Sequence, residues 1–194
     1  MTEEQNTVNG VNTTALFNTI DAVKSEPVIA EFEFRADNTW QNGGHNRTSI
    51  KDFYGAKGVH VHDRPFELDA DEPPLLLGED KGPNPVEYAL TALAACVTTA
   101  LVYHAAAKGI TLRGVKSRLE GDLDLRGFLG LSEEVPVGYK QIRMYFTIDA
   151  DISEEQKQEL LRMGQKYSPV FNTISNATPV SVQLDSAARK KRVA

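Results

Sequence analysis

Cys96 is the one cysteine in the sequence, and an ionised thiol is the strongest nucleophile a side chain offers. Its neighbours, Ala94, Ala95, Val97 and Thr98, are small and uncharged. A thiolate needs a nearby cation or a helix N-terminus, so a mid-helix cysteine must borrow its activation from another segment. Without that help it is a small buried hydrophobe whose thiol is inert. His60-Val61-His62-Asp63 places two imidazoles on one strand face, and with His45 or an acid they could hold a transition metal. No second ligand motif accompanies them. A polar strand edge is the simpler reading, so neither a metal nor a cofactor is expected. Arg189-Lys190-Lys191-Arg192, four adjacent cations near the C-terminus, read as a solvated tail, with nonspecific anion contact the alternative.

These residues must be positioned by elements that the pattern predicts. Asn84-Pro85-Val86-Glu87 opens a helix: Asn as N-cap, Pro at the first helical position, Glu at the third. From Tyr88 to Ala107 there is no charged side chain, and Lys108-Gly109 closes the run. Tyrosines, threonines, His104 and many alanines weaken a membrane reading, and a buried central helix is the simpler one. At about 100° per residue, Ala92, Leu93, Thr99, Ala100 and Tyr103 share the face of Cys96.

Leu16, Phe17, Ile20 and Val23 predict an amphipathic helix over 13–24, ended by Pro27. Period-two alternation predicts strands over Val28–Phe34, Val115–Leu125, Ile142–Ile148 and Pro179–Leu184, and strand-like stretches follow the Asn42-Gly43-Gly44 turn around His45–Phe53 and Lys57–Leu68. Ser153 and Gln156 form a second capping box, and Ser168-Pro169 a third helix start. Asp69–Gly82 reads as a loop and Arg126–Gly138 as a long hairpin or flap. The order gives an α+β fold, mostly antiparallel sheets around a buried central helix. Residues 1–11 are expected to be disordered, 12–185 to form one domain and 186–194 a basic tail.

Composition sets outer limits. The 194 residues carry 21 Lys+Arg against 27 Asp+Glu, a net −6, which argues against a nucleic-acid surface over the whole domain. One cysteine excludes an internal disulfide and any multi-thiolate cluster within one chain. The polar, acidic N-terminus does not resemble a secretory signal. A soluble, cytoplasmic protein is the expectation, with no nucleic-acid and no membrane partner.

The string GPNPVEYALTALAACVTTALVYHAAAKGI, from Gly82 to Ile110, resembles the OsmC-like family of osmotically induced and organic hydroperoxide resistance proteins. Ala70-Asp71-Glu72-Pro73, Val137-Gly138-Tyr139 and Tyr167-Ser168-Pro169-Val170-Phe171-Asn172-Thr173 support it. The resemblance spans residues 28–184, and the helix over 13–24 is additional to the family core. It implies an OsmC-like fold with an intertwined dimer and sites at the dimer interface. It also implies a thiol peroxidase, in which one cysteine attacks a hydroperoxide and a second resolves the sulfenic acid, assisted by an arginine and a glutamate.

Cys96 matches the attacking cysteine. The second cysteine's position falls on Ser168, which cannot resolve a sulfenic acid but can cap a helix. The family glutamate's position is Val86, and Glu87, one residue later, belongs to the capping box. Arg47 or His45, near the Gly43-Gly44 turn, are the candidate cationic partners of a thiolate.

Three functions follow. The first is a one-cysteine peroxidase acting on organic hydroperoxides through Cys96, with an external thiol as reductant. The second is non-catalytic binding of an apolar or electrophilic molecule at the interface cleft, with Tyr88, Tyr103, Phe128 and Phe171 as candidate lining. The third is a catalytically silent relative.

Overall fold

A computed structural model describes residues 6–184 of the chain. Near the N-terminus, Thr7–Val8 (β1) and Val11–Asn12 (β2) form a small antiparallel hairpin. The sequence reading expected disorder here. Asn9 is the reason for the difference: its Nδ2 donates to the Ile110 carbonyl at 2.8 Å and its Oδ1 accepts from the Leu112 amide at 2.8 Å. One side chain thus ties the hairpin to a chain segment about a hundred residues away. Asn12 then caps the helix Thr13–Ser25 (α1), accepting from the Ala15 amide.

The stretch expected to be a strand over Val28–Phe34 is mostly not one. Pro27–Ala30 forms a single 3₁₀ turn, and only Glu33–Phe34 (β3) pairs. Pro27 fixes its own φ and favours the turn over the alternation that follows it. Asp37–Asn42 (β4), His45–Gly55 (β5) and Gly58–Ala70 (β6) complete a four-stranded antiparallel sheet in the order β3-β5-β4, with β6 on β5. β4 carries no apolar alternation and was not expected. It forms because the Gly43-Gly44 turn folds it back onto β5.

The long helix is Pro85–Ala107 (α2), 23 residues or about 34 Å. Its start follows the predicted capping box: Asn84 Oδ1 accepts from the Val86 amide at 2.9 Å, and Glu87 Oε2 accepts from the Asn84 amide at 3.0 Å. By length and composition α2 could cross a membrane. Here one face packs against protein. Leu112–Asp122 (β7) and Gln141–Ala150 (β8) form an antiparallel pair, with the short helix Leu125–Phe128 (α3) between them. Glu154–Lys166 (α4) and Pro169–Ser175 (α5) follow. The fold is α+β.

The core lies where α2, α4 and the β7–β8 pair meet. Leu101, Ala105 and Leu160 are fully buried, with Leu112, Val115 and Ile148 packed around them. Gly164 makes this contact possible: a Cβ there would lie 3.0 Å from the Val97 carbonyl and 3.1 Å from the Leu101 side chain. A side chain there would need its neighbours on α2 to give by a few tenths of an ångström.

The final strand expected over Pro179–Leu184 does not form. The segment has no strand partner among the described residues, and Val180, Val182 and Leu184 are almost fully exposed. Alternation alone does not make a strand without an edge to pair with. The basic run Arg189–Arg192 lies outside the described residues.

Candidate functional site around Cys96

Cys96 lies eleven residues into α2. On one side of the helix, Leu93, Val97, Leu101 and Ala105 recur every four residues and are buried. On another, Thr91, Ala95, Thr99 and Tyr103 recur at the same spacing and are exposed. Cys96 falls on the margin between these stripes and is half-buried. The helix is central, but within one chain it is covered along only part of its circumference. The thiol therefore has access to whatever lies over the exposed stripe.

The two candidate cations are brought together, though not on Cys96. His45 Nε2 lies 2.8 Å from Asp69 Oδ1, and Arg47 holds the same carboxylate through Nε at 2.9 Å and Nη2 at 3.1 Å. Register explains the convergence, since Arg47 on β5 is directly opposite Asp69 on β6. Hydrogen bonds from Arg47 first, then His45, hold the Asp69 carboxyl below the usual carboxylate range and outweigh its partial burial. The same pairing raises Arg47 further above its ordinary value. Tyr88 of α2 donates to the Asp69 carbonyl at 2.7 Å. The cluster therefore meets α2 eight residues before Cys96, about 12 Å along the axis.

Ser168 is completely buried, and its Oγ accepts from the Phe171 amide at 3.1 Å, so it caps α5 as the sequence predicts. Glu87 is likewise occupied by the α2 cap. The candidate pocket residues do not converge. Phe171 lines a cleft with Leu93, Met144 and Ile174, whereas Phe128 lines another at the start of α2 with Val86 and Val137. Tyr103 is exposed on the α2 stripe.

His60 and His62 belong to an aromatic row instead of a ligand set. His60 stacks on Phe53 at 5.1 Å between ring centroids, and His62 meets Phe66 edge-on at 5.0 Å. Among the described residues no group of three or more His, Cys, Asp or Glu side chains is placed to hold a metal ion.

Two features were not legible in the sequence. Asp71 is buried, and its carboxylate accepts from the amides of Glu72, Glu79 and Lys81 at 2.8, 3.1 and 3.2 Å. Burial alone would raise its pKa, but these three donors outweigh it and hold the carboxyl below its ordinary value. That closes the loop leading into Asn84 and fixes where α2 begins. His104, near the end of α2, packs against Tyr167 with the rings tilted and their centroids 4.6 Å apart. Desolvation and the Lys108 charge lower its pKa. Only the approach of α4 to α2 creates that pair.

Residues 78–183 match the family model described as OsmC-like protein, more than half of the chain. The chain belongs to the OsmC-like family. A comparison with curated proteins finds no match. Among solved structures, the OsmC-like chain is similar to an OsmC-like protein from Mycoplasma pneumoniae, at 20% identity over 74% of this chain and 87% of the other, with a TM-score of 0.55. It is also similar to an organic hydroperoxide resistance protein from Legionella pneumophila, at 22% identity over 73% and 88%, with a TM-score of 0.52. At such identity the likeness is one of fold. The OsmC-like assignment fixes the architecture, and the chemistry at Cys96 rests on the side chains described above.

Proposed function

We propose that this OsmC-like protein reduces organic hydroperoxides through Cys96 in a one-cysteine cycle. The position of Cys96 carries the reading: a single half-buried thiol on the margin of an exposed stripe of the central helix. The thiolate attacks the terminal peroxide oxygen, the O–O bond breaks, and the alcohol leaves after taking a proton. Cys96 is left as the sulfenic acid. An external thiol condenses with it, releasing water and forming a mixed disulfide. A second thiol equivalent restores Cys96 and carries away the external disulfide. A reducing cytoplasm supplies such thiols.

Ser168 explains why the reductant must be external, since a buried capping hydroxyl offers no resolving sulfur. Arg47 or His45, from the same chain or its copy, would favour the thiolate. A homodimer fits this reading. The β3–β6 sheet contacts the helices only sparsely, and it leaves Phe34, Trp40 and Val61 exposed. The α2 stripe of Thr91, Ala95, Thr99 and Tyr103 is uncovered too, so each face offers the other chain a surface to bury.

A specific observation favours a second reading, in which the protein binds an apolar or electrophilic molecule at the interface without catalysis. Both candidate cations are committed to Asp69, and neither bonds Cys96. The deciding experiment treats purified protein with an organic hydroperoxide in the presence of a dithiol. Peroxide consumption, and a sulfenic acid trapped at Cys96 when thiol is withheld, are expected, and both vanish in Cys96→Ser. Absence of both in the native protein removes the peroxidase and leaves the binding reading.

A further inference from the structure

At the start of α2 a second, apolar cavity of about 330 Å³ opens between two loops, next to the cleft that Phe171 lines: Tyr139 of that cleft donates to the Val86 carbonyl at 2.8 Å. That lies at the small end of ligand sites, which run from roughly 300 to 1,000 Å³. Its walls are Leu76 from the loop before α2, Val86 from the helix, and Leu125, Phe128 and Val137 from the segment between β7 and β8. Glu72 is the one charged residue in the lining.

Glu72 is half-buried and pairs with no cation among the described residues. Its Oε2 accepts from Asn84 Nδ2, and its Oε1 accepts no hydrogen bond among the described residues. The surroundings are acidic. Asp80 donates its amide to the Glu72 carbonyl at 3.2 Å, and Glu87 sits in the first turn of α2. Neither they nor Glu72 form an ion pair among the described residues. The neighbouring cations are already engaged: Lys81 with Glu79, Arg126 and Lys140 with Asp124. Phe128 and Val137 are 69% and 65% exposed, so the mouth is open and apolar.

We infer that this cavity binds a short-chain alkylammonium ion, its chain against Leu76, Phe128 and Val137 and its ammonium on Glu72 Oε1. Charge complementarity selects the ligand. An apolar body satisfies the walls, and an ammonium answers the open Glu72 oxygen with both opposite charge and a charge-assisted hydrogen bond. A fatty acid meets the same walls but places like charge against Glu72. An alcohol gains the walls and a hydrogen bond to Glu72 without the opposite charge. The site does not depend on the Cys96 reading.

The test is calorimetric titration of the full-length protein with n-octylamine, n-octanol and octanoate at neutral pH and low salt. Octylamine is expected to bind about tenfold more tightly than octanol, with octanoate weakest. Glu72→Gln keeps the size and the Asn84 contact, and it should erase the preference for the amine. Val137→Arg, on the exposed rim, puts a cation over the mouth and should abolish amine binding without lowering the melting temperature. Cys96→Ser should bind octylamine as the native protein does, whatever its effect on peroxide. Equal affinity for the three probes, no binding at all, or a preference that survives Glu72→Gln overturns the inference.

Discussion

Arg47 and Asp69 face each other across β5 and β6 and form a two-point ion pair, Nε to Oδ1 at 2.9 Å and Nη2 to Oδ2 at 3.1 Å. The guanidinium that the sequence offered to Cys96 is therefore held by a carboxylate whose own pKa it depresses. In the proposed cycle Asp69 and the thiolate compete for one cation. Asp69→Asn should release Arg47 and speed alkylation of Cys96 at neutral pH several-fold, and Arg47→Ala should slow it. Rates of reaction with iodoacetamide across pH read both effects. Unchanged rates in both variants would remove Arg47 from the chemistry.

Ser168 separates capping from redox chemistry. Ser168→Ala leaves the Phe171 amide without its acceptor inside the protein. It should lower stability by about 1 kcal/mol, within a usual span of roughly 0.5–2 for a lost N-cap. Urea unfolding at constant slope measures it. Peroxide consumption with external dithiol should be unaffected once temperature is low enough to keep the variant folded.

The contact between α2 and α4 carries the core. Leu101→Ala removes a fully buried side chain and should cost about 2–5 kcal/mol. Gly164→Val drives a branched side chain toward the Val97 carbonyl, where even a Cβ stands at 3.0 Å. Overpacking of this kind costs about 1–3 kcal/mol. The two residues touch, so the double variant should depart from the sum of the singles. Thermal and urea melts of all three proteins check it.

His104 gives a pH dependence with a definite sign. Burial and the Lys108 charge lower its pKa in the folded state, so the unfolded chain binds the proton more readily. Folding is unpenalised above the unfolded value, near pH 6.5, and loses stability as pH falls through the folded one. His104→Phe keeps a ring against Tyr167 and cannot charge. Its stability should therefore fall less than the native protein's between about pH 7.5 and pH 5. Parallel slopes in the two proteins would contradict this.

Asp71 adds a second acid-sensitive group. Three backbone donors hold it ionised, so its contribution is present above the unfolded carboxyl value and is lost as pH falls through the lower folded one. Asp71→Asn should flatten the acid limb of the stability curve and lower the melting temperature at neutral pH. Denaturant midpoints taken from about pH 6 downward test it.

The sequence by itself determined the elements whose signals are local. Capping at Asn84, Ser153 and Ser168 marked three helix starts, because a cap is a bond between near neighbours in the chain. Charge-free length marked α2, alternation marked β7 and β8, and the Asn42-Gly43-Gly44 turn with the strand-like stretches after it marked β5 and β6. Cys96 and its motif gave the family. Tertiary structure decided everything that depends on a distant partner. Pro179–Leu184 alternates, yet it found no edge and stayed unpaired, whereas β4 lacks alternation and pairs because a turn delivers it to β5. Arg47 and His45 are near the right place in the chain, but Asp69, some twenty residues on, is what they hold. The stripe of α2 that covers Cys96 or leaves it open depends on which surfaces pack around the helix, and no periodicity in α2 encodes that choice.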